Sequence, residues 1–415
     1  MRKVLIYSDC FVYSGSENVI ENILRSEEIQ EEFLLNFYYA YNKEYEKGIK
    51  RKFGGAENVK SVKKLINPYP QWGHPLQSGE IKGKAKRVYT RVLYTLGLVF
   101  NKIGLLQLHN GLVLFRLFKR ERPDILLINN GGYPAAETCR IAAIAARMAG
   151  IRSVLFVVNN MAYPQKNIWD KWKDRYINKY VSYFITASKA ASDRLAEARN
   201  FDQQKCFNIP NTLLTQTEET SIAGSGILRR EFGVDDDSIV MGAVGLLTRR
   251  KGYHVLITAV AMLRQKQPLA RYKLVIFGEG EERSALEKLI KDYNLDDVVI
   301  LPGFRPNVME YVRDMDIFIT PSIANEDFPY VIIEAMMMGK PVVGSRVAGI
   351  PEQIDNGVTG YVVAPDAPDE LVNAIQKMLD KEKIATMGRS SRERYFEKFS
   401  NRLIMKRYLE VFRSI

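Results

Sequence analysis

An α/β chain built from two doubly wound parallel-sheet domains is what this sequence predicts, on three observations. Its 415 residues are too many for one hydrophobic core. Short apolar runs alternate with helix-length segments from one end to the other, which is the pattern of parallel strands joined by crossover helices. A polar stretch rich in Thr, Ser, Glu and Gly, residues 215–226, interrupts that alternation just after Pro210-Asn211-Thr212 and reads as a linker.

In the first half, strands are expected at 4–7, 34–39, 125–128, 153–158, 183–186 and 205–209. Helices are expected near 17–24, 135–148 and 190–198. In the second half, strands fall at 239–244, 273–277, 298–301 and 317–320, with helices at 254–264, 282–292, 368–379 and 382–396. The domains are therefore 1–214 and 227–397, facing each other across a cleft. A last helix, about 398–415, is expected to pack back on the first domain.

Composition removes several function classes. Cys10, Cys139 and Cys206 lie far apart without paired spacing, so neither a disulfide framework nor a zinc site is indicated. The N-terminus enters its first strand at once, leaving no room for a signal peptide, and no apolar run approaches the ~18 residues of a membrane span. A cytoplasmic protein is expected.

The net charge of +12 is unevenly placed. Residues 47–122 hold 17 Lys and Arg against 3 Asp and Glu, a balance of +14, so this segment carries the whole excess. Within it Val88, Val92, Leu96, Val99 and Ile103 fall at intervals of 4, 4, 3 and 4, one helical stripe. Lys84, Arg87 and Arg91 occupy a neighbouring stripe. Such a helix suits the headgroup layer of an anionic membrane, on the inner face of the plasma membrane. The alternative is that the stripe packs on the domain core and the cations are merely solvated. No nucleic-acid fold motif accompanies the charges, so no nucleic-acid partner is expected.

Residues 322–336, Ser-Ile-Ala-Asn-Glu-Asp-Phe-Pro-Tyr-Val-Ile-Ile-Glu-Ala-Met, carry the most chemistry. The strand ending at Thr320 runs into this loop, and Pro329 stands where a helix begins, since its missing N–H costs nothing there. That helix, 332–338, ends near Gly339 and Pro341. Its free N–H groups open at the carboxyl end of a strand, where open α/β sheets bind phosphorylated ligands. Glu326 is expected at the mouth of the site and Glu334 about two turns deeper. Glu334 sits among Val331, Ile332, Ile333 and Met336, where an unpartnered carboxylate costs several kcal/mol unless a ligand satisfies it. The basic loop 248–252, again between strand and helix, offers Arg249, Arg250 and Lys251 to a diphosphate. In the first domain Tyr13-Ser14-Gly15-Ser16-Glu17 follows the first strand; Gly15 can take a positive φ and admit a substrate, and Ser14 or Ser16 can cap the helix.

These residues together resemble the two-glutamate signature of the retaining nucleotide-sugar glycosyltransferases of family 4. Gly245-Leu246-Leu247 with Arg249-Arg250-Lys251-Gly252, then Phe277-Gly278-Glu279-Gly280 and Ala348-Gly349-Ile350-Pro351-Glu352, stand at that family's intervals over roughly residues 240–365. The resemblance implies the GT-B fold, two facing Rossmann-like domains, and a hexose moved from a nucleotide diphosphate donor to an acceptor hydroxyl. It implies Lys251, Arg250 and Glu326 as catalytic residues, with Glu334 on the ribose. Gly245, Arg249, Gly278, Phe328 and Pro329 complete the donor site. Gly15, Ser16, Asn159 and Asn160 form the acceptor and phosphate side.

No metal and no further cofactor are implied, and a UDP-sugar is favoured over a GDP-sugar. The acceptor is expected to be a glycan or a lipid-linked precursor of surface polysaccharide. Two departures stand out. Leu246 replaces the family arginine, so either Arg249 or Arg250 takes its place or diphosphate binding is weaker. Asn159-Asn160 stand where the family often has a histidine, which a retaining enzyme tolerates because the departing phosphate oxygen can take the proton. Asp314-Met315-Asp316 mimics a metal-binding pair of another transferase fold, but Asp316 opens a strand and fits a structural role. The rival readings are a sugar-nucleotide epimerase of the same fold and a non-catalytic sugar-binding protein.

Overall fold

Thirteen parallel strands in two sheets form the frame of the computed structural model, which describes all residues except 79–80, 215–222 and 325. The strands of the first sheet are β1 (Arg2–Ser8), β2 (Phe33–Ala40), β3 (Val59–Val62), β4 (Ile125–Asn130), β5 (Ser153–Val158), β6 (Tyr183–Thr186) and β7 (Cys206–Asn208), in the order β3-β2-β1-β4-β5-β6-β7. Those of the second are β8 (Ile239–Val244), β9 (Tyr272–Phe277), β10 (Val299–Gly303), β11 (Ile317–Thr320), β12 (Val342–Ser345) and β13 (Gly360–Val363), in the order β10-β9-β8-β11-β12-β13. Helices cover both faces, so central strands such as β4 are buried throughout and read as continuous apolar runs.

Two α/β domains are thus present. Strands β3, β12 and β13, each four residues long, were not anticipated. Neither was the helix Ile168–Tyr180, whose aromatic and charged residues show no clear apolar period. Most of the linker expected at 215–226 lies outside the described residues.

The chain divides into two compact units: residues 1–187, 191–209 and 405–415, and residues 188–190 and 210–404. Each has its own core, one around Tyr7, Leu126 and Phe156, the other around Met241, Leu274 and Ile319. In the first unit the end of the C-terminal helix is tied down by Arg2, which donates to the Phe412 carbonyl at 3.1 Å, and by the Arg413–Glu32 pair. Arg199 and Asp174, both fully buried, pair at 2.7 Å, and the Tyr133 hydroxyl donates to Asp174 at 2.8 Å. The three cysteines are unpaired.

The basic segment forms two helices, Lys84–Lys102 and Leu105–Glu121, bent by 83° at their junction. Neither alone is long and apolar enough to cross a membrane, although the bent pair together has the length and composition of a broken span. The first helix packs through Thr90 and Gly97; a Cβ on Gly97 would stand 2.8 Å from the Trp72 ring. The stripe Val88, Val92, Leu96, Val99 and Ile103 lies on the opposite side of the helix and is 44–63% exposed. It does not pack on the domain core, which removes the core-packing alternative.

Candidate active site

In the second unit β8 and β11 are neighbours where the strand order reverses, the point at which open α/β sheets bind ligands beyond their carboxyl ends. The loop leaving β8 makes a 3-10 turn, Arg249–Lys251, and reaches its helix through Gly252 at φ +69°. A Cβ at Gly252 would lie 1.9 Å from the Pro321 carbonyl oxygen, so only glycine lets the loops after β8 and β11 approach this closely. Ile323 N donates to the Arg250 carbonyl at 2.8 Å and fastens them together.

On this scaffold Lys251 Nζ stands 2.6 Å from Glu326 Oε1, and the Arg250 guanidinium pairs with the same oxygen. Glu326, expected at the mouth of the site, is buried. The two cations it pairs with are among those expected to face a diphosphate, and the cluster keeps a net charge of +1. Nearby, the Tyr253 hydroxyl is pushed well up by burial and by the Glu326 charge, partly offset by Arg250. Thr248 Oγ1 and Ser322 Oγ are buried with no hydrogen-bond partner among the described residues.

Glu334 lies in the middle of the helix Tyr330–Met337, capped by Pro329. Its carboxylate makes no hydrogen bond or ion pair among the described residues, and burial raises its pKa from the usual 4.5 to about 7. Some of its surface still reaches solvent. A half-buried acid left without a protein partner is a configuration that binding sites, more than structural positions, retain.

The other candidates divide. Gly278 approaches Gly245 so closely that a Cβ on it would meet the Gly245 carbonyl oxygen at 1.9 Å, so both line the seam between β8 and β9. Arg249 and Leu246 are exposed at the loop tip. Phe328 turns its ring into the core against Phe399, with centroids 5.3 Å apart, so it offers a ligand only backbone. Asp314 accepts from Gly226 N and Leu228 N at 3.0 and 2.9 Å; Asp316 accepts from Val240 N at 2.7 Å and pairs with Arg229 at 3.1 Å. Both are structural. His254 Nε2 lies 3.9 Å from Asp366, and burial together with Arg249 lowers its pKa.

In the first unit β1 and β4 adjoin at the corresponding reversal. Gly15 begins a 3-10 turn, Gly15–Glu17, and is not among the glycines of positive φ, contrary to the expectation for it. Ser14 occupies the cap, and Ser16 donates to Glu17 Oε2 at 2.8 Å. Asn159 Nδ2 donates to Asn129 Oδ1 and to the Asn130 carbonyl, both at 2.9 Å, so its amide is engaged inside the sheet edge. Asn160 accepts from Met161 N and borders a cavity with Gly132.

Sequence reasoning missed Asp9 and Asn130. Asp9 directly follows β1, accepts from Thr138 Oγ1 at 2.5 Å, and has its pKa raised by burial, with the hydrogen bonds from Thr138 and Asn67 opposing. Asn130 is buried, with neither side-chain polar atom bonded among the described residues. Both line a cavity of about 540 Å³. Their signal was positional, each standing at the carboxyl end of a strand at a switch point.

Residues 225–395 match the family model described as Glycosyl transferases group 1. A D-inositol 3-phosphate glycosyltransferase of Pseudarthrobacter chlorophenolicus is 35% identical over 156 residues, 37% of each chain. The UDP-Gal:alpha-D-GlcNAc-diphosphoundecaprenol alpha-1,3-galactosyltransferase of Escherichia coli is 24% identical over 69% of this chain and 74% of its own. The chain spans about half or less of the length of most of the curated relatives it matches. Among solved structures, Anabaena HepE in complex with UDP superposes over 100% of both chains with a TM-score of 0.73 at 19% identity. Over residues 225–395 the chain is therefore similar to the glycosyl transferases group 1, and the whole chain takes the GT-B fold.

Proposed function

We propose that the protein is a retaining, metal-independent glycosyltransferase. In this reading it moves a hexose from a nucleotide diphosphate sugar, in the favoured case a UDP-sugar, to a hydroxyl of a lipid-linked or cell-surface polysaccharide precursor. The observation that carries the reading is the unpartnered Glu334 carboxylate on the helix that follows the Glu326, Lys251 and Arg250 cluster. The UDP bound to HepE and the diphosphoundecaprenol-linked acceptor named for the galactosyltransferase support the donor and acceptor classes.

The ribose diol donates two hydrogen bonds to Glu334 and supplies the partner its burial lacks. Lys251 has three N–H donors and Arg250 five, so each can hold Glu326 with one and the diphosphate with others. Glu326 thereby orients both cations before the donor arrives, and its own backbone segment borders the sugar. The bond from the anomeric carbon to the diphosphate breaks, and the acceptor oxygen bonds that carbon on the same face. The acceptor proton passes to the departing phosphate oxygen, while the two cations stabilise the charge that develops there.

Proton NMR of the first-formed glycoside tests this directly. An anomeric configuration equal to the donor's supports the reading, and an inverted product overturns retention. Asp9, buried beside a cavity in the first unit, favours a second reading as an epimerase. Release of a free or epimerised sugar without an acceptor would establish that alternative.

A further inference from the structure

Residues 81–120 contain nine Lys and Arg and no Asp or Glu, and they form the bent helix pair Lys84–Lys102 and Leu105–Glu121. Tertiary packing uses only part of each helix. Thr90 and Gly97 face inward on the first, and Leu106, Asn110, Leu114, Leu117 and Phe118 on the second. Asn110 pins the pair to the domain, donating to the Ile66 carbonyl and accepting from Ile66 N, each at 2.9 Å.

The outward side is apolar where solvated helices are polar. The stripe from Val88 to Ile103 is continued across the bend by Leu105, Leu108 and Leu112, which are 44–62% exposed at spacings of 3 and 4. A contiguous apolar surface of this extent on a soluble domain marks a partner. Its flank gives the partner's charge. Lys84, Arg87, Arg91 and Lys102 lie along one side of the stripe, and Arg116, Lys119 and Arg120 close the far end of the second helix.

An apolar face whose edge is cationic except for Glu121 at its far end, which pairs with Arg120 at 2.9 Å, fits an interfacial layer of acyl chains beneath anionic headgroups. A second copy of this chain would bring the same cations against each other. The helix pair also walls the 540 Å³ cavity that holds Asp9 and Asn130, through Asn101, Gln107 and Asn110. No Lys or Arg lines that cavity, so it suits neutral sugar hydroxyls better than phosphate.

We propose that the outward face of the two helices docks on an anionic bilayer, lying in the headgroup layer without crossing it. A bilayer at this face brings the sugar of a lipid-linked acceptor to the adjoining cavity. The docking stands on the surface alone, whereas this consequence rests on the transferase reading. The reading puts the protein at the inner face of the plasma membrane.

The test sediments the full chain with vesicles of phosphatidylcholine alone and of phosphatidylcholine mixed with phosphatidylglycerol. Two variants accompany it: Lys84→Gln, Arg87→Gln and Arg91→Gln together, and Val92→Ser, Leu96→Ser and Val99→Ser together. The wild type is expected to partition mainly to the anionic vesicles. Each charge removed should lower that partition roughly fivefold, so the first variant falls about a hundredfold. The second variant should lose binding to both vesicle types.

All the altered side chains are exposed, and an unchanged circular dichroism spectrum and thermal unfolding profile of each variant verifies that it is folded. Equal wild-type partition to the two vesicle types, or none to either, overturns the proposal. So does a wild-type dimer in analytical ultracentrifugation that the serine variant converts to monomer while vesicle binding persists. If vesicle binding holds and the wild type shows no turnover with any nucleotide sugar, the transferase reading fails and the docking stands.

Discussion

Replacing Glu334 by glutamine should make the empty protein more stable and the nucleotide-bound protein weaker, two effects of opposite sign from one carboxylate. Burial raises this group from 4.5 to about 7, so the folded state disfavours its ionised form. A folded-state pKa above the unfolded one means that stability is fully present below pH 4.5 and is lost as pH rises through about 7. The shift corresponds to about 3 kcal/mol, reduced to about 2 because part of the side chain reaches solvent. Glutamine carries no such penalty. The difference in stability between Glu334→Gln and wild type should therefore be near zero at acid pH and grow to about 2 kcal/mol above pH 7. For a unit of this size that is a rise in Tm of about 4–8 °C.

Nucleotide binding moves the other way. A ribose diol donating to the ionised carboxylate makes two charge-assisted hydrogen bonds, and losing the charge removes about 3 kcal/mol, or roughly a hundredfold in affinity. Because the diol favours the ionised form, wild-type affinity should also fall as pH drops below about 7, more steeply than that of the variant, which keeps only the dependence set by the terminal phosphate of UDP, whose second pKa is about 6. Calorimetric titration of UDP into both proteins at about pH 5.5 and about pH 8, with Tm measured in the same buffers, reads all of these terms. A variant that binds UDP within roughly twofold of wild type at the higher pH, or one that is less stable there, refutes the role of Glu334 as the ribose acceptor.

Lys251→Ala should lower kcat by about 10²–10³ with a smaller change in KM, because its charge matters most as the diphosphate departs; steady-state kinetics with an unchanged kcat would remove Lys251 from the reaction. Gly252→Ala should destabilise the second unit by about 2–4 kcal/mol, since its Cβ would overlap the Pro321 carbonyl at a positive φ, and urea unfolding followed at that unit checks it. Arg199→Met should cost about 3–5 kcal/mol by leaving Asp174 buried and uncompensated, and adding Asp174→Leu should restore most of the lost Tm.

What the sequence disclosed was mostly local along the chain. Glu326, Pro329 and Glu334 share one loop and one helix, so their spacing reports their relation without tertiary knowledge. The basic turn before the helix Tyr253–Lys266 was legible for the same reason. Orientation was not. Periodicity revealed the stripe from Val88 to Ile103 but could not say whether it faced core or solvent; Gly97 against Trp72 decides that, a contact 25 residues apart. Phe328 looked like a donor residue until Phe399 drew its ring inward. Asp9 was overlooked because one carboxylate after a strand is indistinguishable from a turn residue. Its partner Thr138 is 129 positions away.

The distribution of satisfied and unsatisfied polar groups in the second unit argues for a ligand independently of any family likeness. Away from β8 and β11's carboxyl ends the carboxylates are engaged: buried Asp314 holds two backbone N–H groups, and partly buried Asp316 holds a third together with Arg229. At those ends the opposite holds. Thr248 Oγ1, Ser322 Oγ and Gln353 Oε1 are buried without partners among the described residues, Glu334 is half-buried and unpaired, and Ala348 takes a φ of +43° that costs a non-glycine residue about 1 kcal/mol or more. Each feature destabilises the empty domain, and general packing constraints would scatter such features through the fold. Positive φ is in part scattered, Asn294 and Asp366 lying elsewhere in this unit, whereas the unpaired Thr248 Oγ1, Ser322 Oγ and Gln353 Oε1 gather on the loops that follow β8, β11 and β12, where a bound polar molecule supplies the missing hydrogen bonds. A nucleotide sugar has donors and acceptors in that number, and so binding it should raise the Tm of this unit more than that of the first.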